Sequence, residues 1–152
     1  MRTHMAMSTD SDLMVYQPEI LQYGIDEFTG EHAKAKADIL RRVRDEWWSR
    51  AKHSYTNTTN NINDMDETKL TESQFTRCAV YRVLSEYALP QLTKWNAEGD
   101  EDKFQVMMAH YKKKYEEEFN SILRDGVEYD FDGDGTVEVG EKQPMHTRRL
   151  VR

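Results

Sequence analysis

The stretch Phe104-Gln105-Val106-Met107-Met108-Ala109-His110-Tyr111-Lys112-Lys113-Lys114-Tyr115-Glu116-Glu117-Glu118-Phe119-Asn120-Ser121-Ile122-Leu123-Arg124-Asp125 decides the fold class. Phe104, Met108, Tyr111, Tyr115, Phe119 and Ile122 recur at spacings of three and four, the period that gathers side chains on one face of an α-helix. Asp100 suits the N-cap and Gly126 the residue just past the last turn, so the spacing predicts a helix over 100–125. Lys112-Lys113-Lys114 followed by Glu116-Glu117-Glu118 predicts three i,i+4 ion pairs on a solvated or inter-subunit face, each contributing a few tenths of a kcal/mol, roughly.

A long helix with an apolar seam needs helical partners, and the chain supplies two. Phe28, His32, Ala35, Ile39, Val43 and Trp47 build a second stripe on a proline-free segment from Asp26 or Thr29 to Ala51. Lys34, Asp38, Arg41, Asp45 and Arg50 form its opposite, mixed-charge face. Adjacent helical residues point about 100° apart, so Trp47-Trp48 predicts one tryptophan in the core and the other at its edge or in a subunit contact. Thr71-Glu72-Ser73-Gln74, flanked by Leu70 and Phe75, fits a capping box with its hydrophobic staple. That helix carries Phe75, Cys78, Ala79, Val83 and Tyr87 inward, and Pro90 is expected to kink or end it near Leu89. Leu92 and Trp95 pack beyond, and Asn96-Ala97-Glu98-Gly99 makes the turn.

The expected fold is therefore all-α: a bundle of three long helices plus a short N-terminal helix at Tyr16–Gly24, whose Ile20 and Leu21 pack onto the bundle. Residues 1–12 read as a disordered N-terminus, 13–128 as the helical domain, 129–141 as an Asp-rich loop and 142–152 as a basic tail. Residues 53–69, rich in Asn and Thr, form a long loop suited to flexibility or to partner contact.

Composition limits the function. The 152-residue chain carries Lys+Arg 21 against Asp+Glu 28, a net charge of −7. Lys142, Arg148, Arg149 and Arg152 give the last eleven residues +4 with no acid; taking +4 from −7 leaves −11 on residues 1–141. Such a body repels phosphate backbones. Cys78 has no internal disulfide partner and suits a reducing compartment. No secretory stretch is read in residues 1–12, and no run of about 18 apolar residues spans a membrane. Leu150 and Val151 between arginines read as a docking peptide for a narrow apolar crevice with an acidic rim.

One segment has specific chemistry. In Asp130-Phe131-Asp132-Gly133-Asp134-Gly135-Thr136-Val137-Glu138-Val139-Gly140-Glu141, the residues Asp130, Asp132, Asp134, Thr136, Glu138 and Glu141 occupy the ligand positions of an EF-hand loop, and Gly135 its sharp turn. A hard cation such as Ca²⁺ takes six to eight oxygens, and five carboxylates in twelve residues repel one another without one. Pro144 leaves no room for an exit helix and no second loop is present, so the expected role is structural rather than that of a sensor. His4, His32, His53, His110 and His146 fall in no metal-ligand spacing, and no nucleophile or phosphate-loop motif occurs. The chain reads as a non-enzyme.

Pro18-Glu19-Ile20-Leu21-Gln22-Tyr23-Gly24-Ile25, Ala37-Asp38-Ile39-Leu40-Arg41-Arg42-Val43-Arg44-Asp45-Glu46-Trp47-Trp48, Ala79-Val80-Tyr81-Arg82-Val83-Leu84 and the terminal Arg149-Leu150-Val151-Arg152 carry a resemblance. Together the chain resembles the head–tail connector (adaptor, or head-completion) proteins of tailed bacteriophages over most of residues 15–152. The resemblance implies a helical virion protein of the neck, made in the host cytoplasm, that assembles as a ring, commonly of twelve copies, beneath the portal. It implies a C-terminal segment docked in the portal protein through Arg148, Arg149, Leu150, Val151 and Arg152. A tail-side nozzle or stopper protein would bind below, and DNA would pass during packaging and ejection without specific binding. The competing expectation is a calcium-binding regulatory or protein-interaction module with one EF-hand-like loop.

Overall fold

The computed structural model describes residues 6–54, 65–93, 103–131, 133–137 and 142–143. These are mostly helical, and the all-α class holds.

The first helix, α1 (Asp10–Tyr16), begins at a reciprocal cap: Asp12 N–H donates to Thr9 Oγ1 (3.4 Å) and Thr9 N–H to Asp12 Oδ2 (2.9 Å). The expectation of disorder up to Asp12 is thus corrected for residues 6–12. Met7 and Leu13 are buried, and this non-periodic pair holds the segment where a periodicity reading finds nothing. Ser8 Oγ lies 2.6 Å from His32 Nδ1, while Asp10 Oδ1 lies 2.9 Å from His32 Nε2 and accepts the Phe28 N–H at 3.2 Å. Buried His32 therefore has both nitrogens satisfied, as a polar group inside a core requires. The expected Tyr16–Gly24 helix is reduced to a single 3₁₀ turn, Ile20–Gln22, with Ile20 buried.

Helix α2 (Thr29–Val43) starts at Thr29, and every residue of the expected stripe from Phe28 to Trp47 is buried. It continues through a π-helical turn, Arg44–Trp48, into α3 (Ser49–Ser54). A π turn widens the helix and shifts the register of the residues beyond it, and this corrects the expected fate of the tryptophans. Trp47 and Trp48 are 1% and 4% exposed, so neither is left over for a subunit contact.

The 3₁₀ turns Glu67–Lys69 and Glu72–Phe75 lead into α4 (Thr76–Arg82), a second π-helical turn (Val83–Ala88) and α5 (Leu89–Leu92). The capping box at Thr71 does not form. Gln74 turns away from the helix, donating from Nε2 to Gly126 O (2.8 Å) and accepting the Glu128 N–H at Oε1 (2.9 Å). The staple residues Leu70 and Phe75 are nonetheless buried. Pro90 does not end the helix at Leu89, because the π turn places it in the first turn of α5, where its missing N–H costs no ladder bond. The expected 53–69 loop narrows from both sides: Ser54 still belongs to α3 and Met65 is buried, while 55–64 lie outside the described residues, as do the Asn96–Gly99 turn and the Asp100 cap.

Helix α6 (Lys103–Asp125) runs for about 35 Å at 1.5 Å per residue. Its seam serves two clusters: Tyr111 packs with Leu13, Ile20, Phe28, Val80 and Leu84, and Tyr115, Phe119 and Ile122 pack with Val43, Trp47, Phe75 and Val127. Gly126, at φ +100°, closes the helix by donating its N–H to Ile122 O (3.0 Å). The chain then does what the helical reading leaves out. Strand β1 (Val127–Glu128) pairs antiparallel with β2 (Lys142–Gln143), Val127 opposite Gln143 and Glu128 opposite Lys142. The first two residues of the expected tail thus belong to the body.

Truncating Trp47 to Ala removes a buried ring from the larger cluster and is expected to cost about 3–5 kcal/mol by urea unfolding. Val106→Ala, on the exposed side of α6, is expected to change stability by less than about 0.5 kcal/mol. Equal midpoints for the two variants would contradict this packing.

Candidate functional site

The Asp-rich loop is built outward from β1. On the side away from β2, Tyr129 bridges Leu70, with Thr71 N–H donating to Glu128 O and Asp130 N–H to Lys69 O, both at 3.0 Å. That register points Val127, Tyr129 and Phe131 inward. Tyr129 and Phe131 close on the end of α2: their ring centroids lie 5.7 and 5.9 Å from Trp47 and 5.1 and 6.0 Å from Trp48, with Phe131 nearly parallel to Trp48 at 14°. Tyr129 Oη accepts the Asp66 N–H (3.0 Å), which brings the far end of the 53–69 segment to the same place. The loop is therefore anchored by its second residue.

Asp130 organises the next turn. Its Oδ1 accepts the Gly133 N–H at 3.1 Å and its Oδ2 the Gly135 N–H at 2.8 Å, while Asp134 Oδ1 accepts the Thr136 N–H at 2.8 Å. Gly133 and Gly135 hold φ of +75° and +88°, the left-handed region in which a Cβ is strained. Asp130 is buried, and Asp134 and Thr136 are exposed. Asp132, Glu138 and Glu141 lie outside the described residues, as do Arg148, Arg149, Leu150, Val151 and Arg152. Among the described residues no group of three or more His, Cys, Asp or Glu stands where it would hold a metal ion. What the described residues of the segment show is a tight turn whose first carboxylate accepts two glycine N–H groups.

The mixed-charge faces expected to be solvated or shared between subunits are partly spent inside the chain. Arg42 donates from Nε to Glu46 Oε2 and from Nη2 to Glu116 Oε2, both at 2.8 Å, with its guanidinium 4.1 Å from the Phe119 ring centroid. Burial by itself would lower the Arg42 pKa, but hydrogen bonds with Tyr115, Glu116 and Glu46 outweigh it and hold the pKa above its ordinary value. Arg82 Nε donates to Asp38 Oδ2 (3.0 Å), which the Tyr87 hydroxyl also reaches. Glu118 faces Arg77 at 3.9 Å, and the i,i+3 pair Lys114–Glu117 (3.6 Å) replaces the regular i,i+4 ladder. Glu116 and Glu118 thus go to arginines of other helices, while Glu117 goes to a lysine of its own helix.

The residues that sequence reasoning missed are Tyr129, Phe131, Gln74 and the β1–β2 ladder. A signal was available: Val127, Tyr129 and Phe131 alternate with Glu128, Asp130 and Asp132, the period-two pattern of a half-buried strand. Comparison of the chain with protein-family models, curated proteins and solved structures returns no match.

Two outcomes are expected. A Cβ at position 135 meets nothing within 4 Å, so Gly135→Ala carries only backbone strain and lowers unfolding stability by about 1–2 kcal/mol. Burial raises the Tyr129 pKa above its ordinary value, reinforced by the charges of Asp66 and Asp130 against the opposing Asp66 hydrogen bond. Above about pH 10 the unfolded tyrosine releases its proton first, so the folded state binds more protons and stability falls as pH rises. Tyr129→Phe should make that fall shallower in urea titrations between about pH 9 and 11; an unchanged slope would contradict it.

Proposed function

We propose that the protein is a head–tail adaptor of a tailed bacteriophage: a structural subunit whose three long helical segments form a bundle, which joins further copies, commonly twelve, in a ring. In this reading the ring sits between the portal protein and a tail-side nozzle or stopper, and the genome passes through it. The basic segment from residue 144 onward docks in the portal through Arg148, Arg149, Leu150, Val151 and Arg152. The role is structural, with no chemical step.

The observation that carries the reading is the pairing of Lys142–Gln143 with Val127–Glu128, because an arm that recruits a partner needs a fixed origin on a rigid body. The body meets that need with two buried clusters set one after the other along the apolar seam of α6. No helix among the described residues is long and apolar enough to cross a membrane. The four sequence stretches that resemble connector proteins supply the identity of the partner.

The same reading assigns the Asp-rich loop a structural Ca²⁺, held by Asp130, Asp132, Asp134, Thr136, Glu138 and Glu141. The donors are hard oxygens, and Asp130 already draws Gly133 and Gly135 into the tight turn such a loop needs. A bound cation there would neutralise crowded carboxylates and stiffen the stem from which the arm leaves.

Deleting residues 144–152 is expected to leave helix content and unfolding midpoint unchanged while abolishing attachment to portal rings in electron micrographs; attachment by the truncated protein would overturn the reading. Calorimetric titration with Ca²⁺ is expected to give saturable heat that Asp130→Ala removes, without a change in helix content. Loss or gain of helix on calcium addition would favour the regulatory module instead.

A further inference from the structure

The β1–β2 register fixes where the basic arm begins and also which way it leaves. Since β2 runs antiparallel to β1, the chain at Gln143 travels back past Val127 toward the C-terminal turns of α6. That helix end is the negative pole of the macrodipole, and Glu118, facing Arg77, stands on α6 before it. Glu118 lies eight residues before Gly126, about 12 Å along the axis. The nine residues from Pro144 to Arg152 span up to about 30 Å when extended.

Within that reach lies a groove of about 470 Å³ between α1, the Glu72–Phe75 turn, α4 and α6. Val15 and Tyr16 give it an accessible apolar lining over the fully buried Val80, and Asp12 and Glu118 stand among its walls beside Arg77. Val15 is 75% exposed, the most open of the large apolar side chains described. Gln74 belongs both to the groove and to the clamp on Gly126 and Glu128, so the groove wall and the strand that launches the arm share one side chain. The arm offers Leu150 and Val151 for Val15 and Tyr16, and Arg148, Arg149 and Arg152 for Asp12 and for Glu118, whose partner within the body is Arg77 at 3.9 Å.

We infer that in the free subunit this groove holds the protein's own basic segment, Pro144–Arg152, so that the docking arm is stored on its own body until a partner displaces it. The inference rests on the reading of the segment as a docking arm and adds how that arm is regulated. Storage satisfies the arginines and covers Val15, and it lowers the affinity of the arm for weak or wrong partners. The portal-ring assay tests the docking reading; storage is tested with no portal present.

The experiment compares ¹⁵N–¹H spectra and relaxation of the full chain, the 1–143 truncation and full-length Glu118→Lys. In the full chain, amides of residues 147–151 are expected to show order parameters above about 0.6, and Val15, Thr76, Arg77 and Val80 to shift on truncation. Glu118→Lys and high salt are expected to release the arm and move the same groove amides toward their truncated positions. Superimposable groove amides in full and truncated chains would overturn the inference. So would groove shifts that vanish on dilution, because the occupant would then be the arm of a second copy.

Discussion

The structure depends on an aromatic contact between the end of α2 and the strand beyond α6. Trp47 and Trp48 meet Tyr129 and Phe131 with all four rings within about 6 Å of one another, and all four are buried. Ring pairs in such geometry contribute about 0.5–1.5 kcal/mol beyond their area burial. The placement matters as much as the energy. Without it β1 would keep only Val127 on its inner face beside the Gln74 clamp and the Leu70 bridge, and the Asp-rich loop would lose the rings that seat its first residues. The π turn at Arg44–Trp48 makes the contact available, because a regular helix turns the second tryptophan about 100° from the first.

Much of the fold was legible in the sequence because it rests on period. The stripe from Phe28 to Trp47 and the seam from Tyr111 to Ile122 are buried as spacing requires, and Gly126 ends α6 as a left-handed glycine should. What was not legible depends on partners far along the chain. Gln74 has the composition of a capping residue, yet its amide serves a strand more than fifty residues away, where it satisfies both a carbonyl and an N–H. A half-buried amide in two tertiary hydrogen bonds outcompetes a local cap worth about 1 kcal/mol. Met7 and Ser8 were invisible for a similar reason: Met7 is buried in a core cluster and Ser8 is bonded to His32, both far along the chain, with no period to betray them.

The candidate site divides along the same line. The pattern from Asp130 to Glu141 is read from local spacing, and the part of it that is described is the turn in which Asp130 accepts from the left-handed Gly133 and Gly135. Its setting is tertiary. A strand precedes the loop and another succeeds it, so the loop is the tip of a clasp between β1 and β2 and not the hinge between two helices. A cation at such a tip stiffens a stem and has no pair of helices to swing open.

That setting also gives the charge division its physical meaning. Arg42, Arg77 and Arg82 are engaged with acids on neighbouring helices, and since each pair cancels one charge of either sign, the acidic excess of the body remains on its other side chains. Arg148, Arg149 and Arg152 come after a stem that fixes their origin. A segment so tethered meets sites on its own body at about millimolar effective concentration, so a contact too weak to detect between separate molecules is populated within one. If the arm is stored as proposed, a partner must bind Leu150, Val151 and the arginines more tightly than an internal competitor at about millimolar effective concentration. On the proposed storage the tether would raise the affinity threshold for every partner by the same factor, and a merely acidic surface would fall below it before a deep, acid-rimmed crevice does.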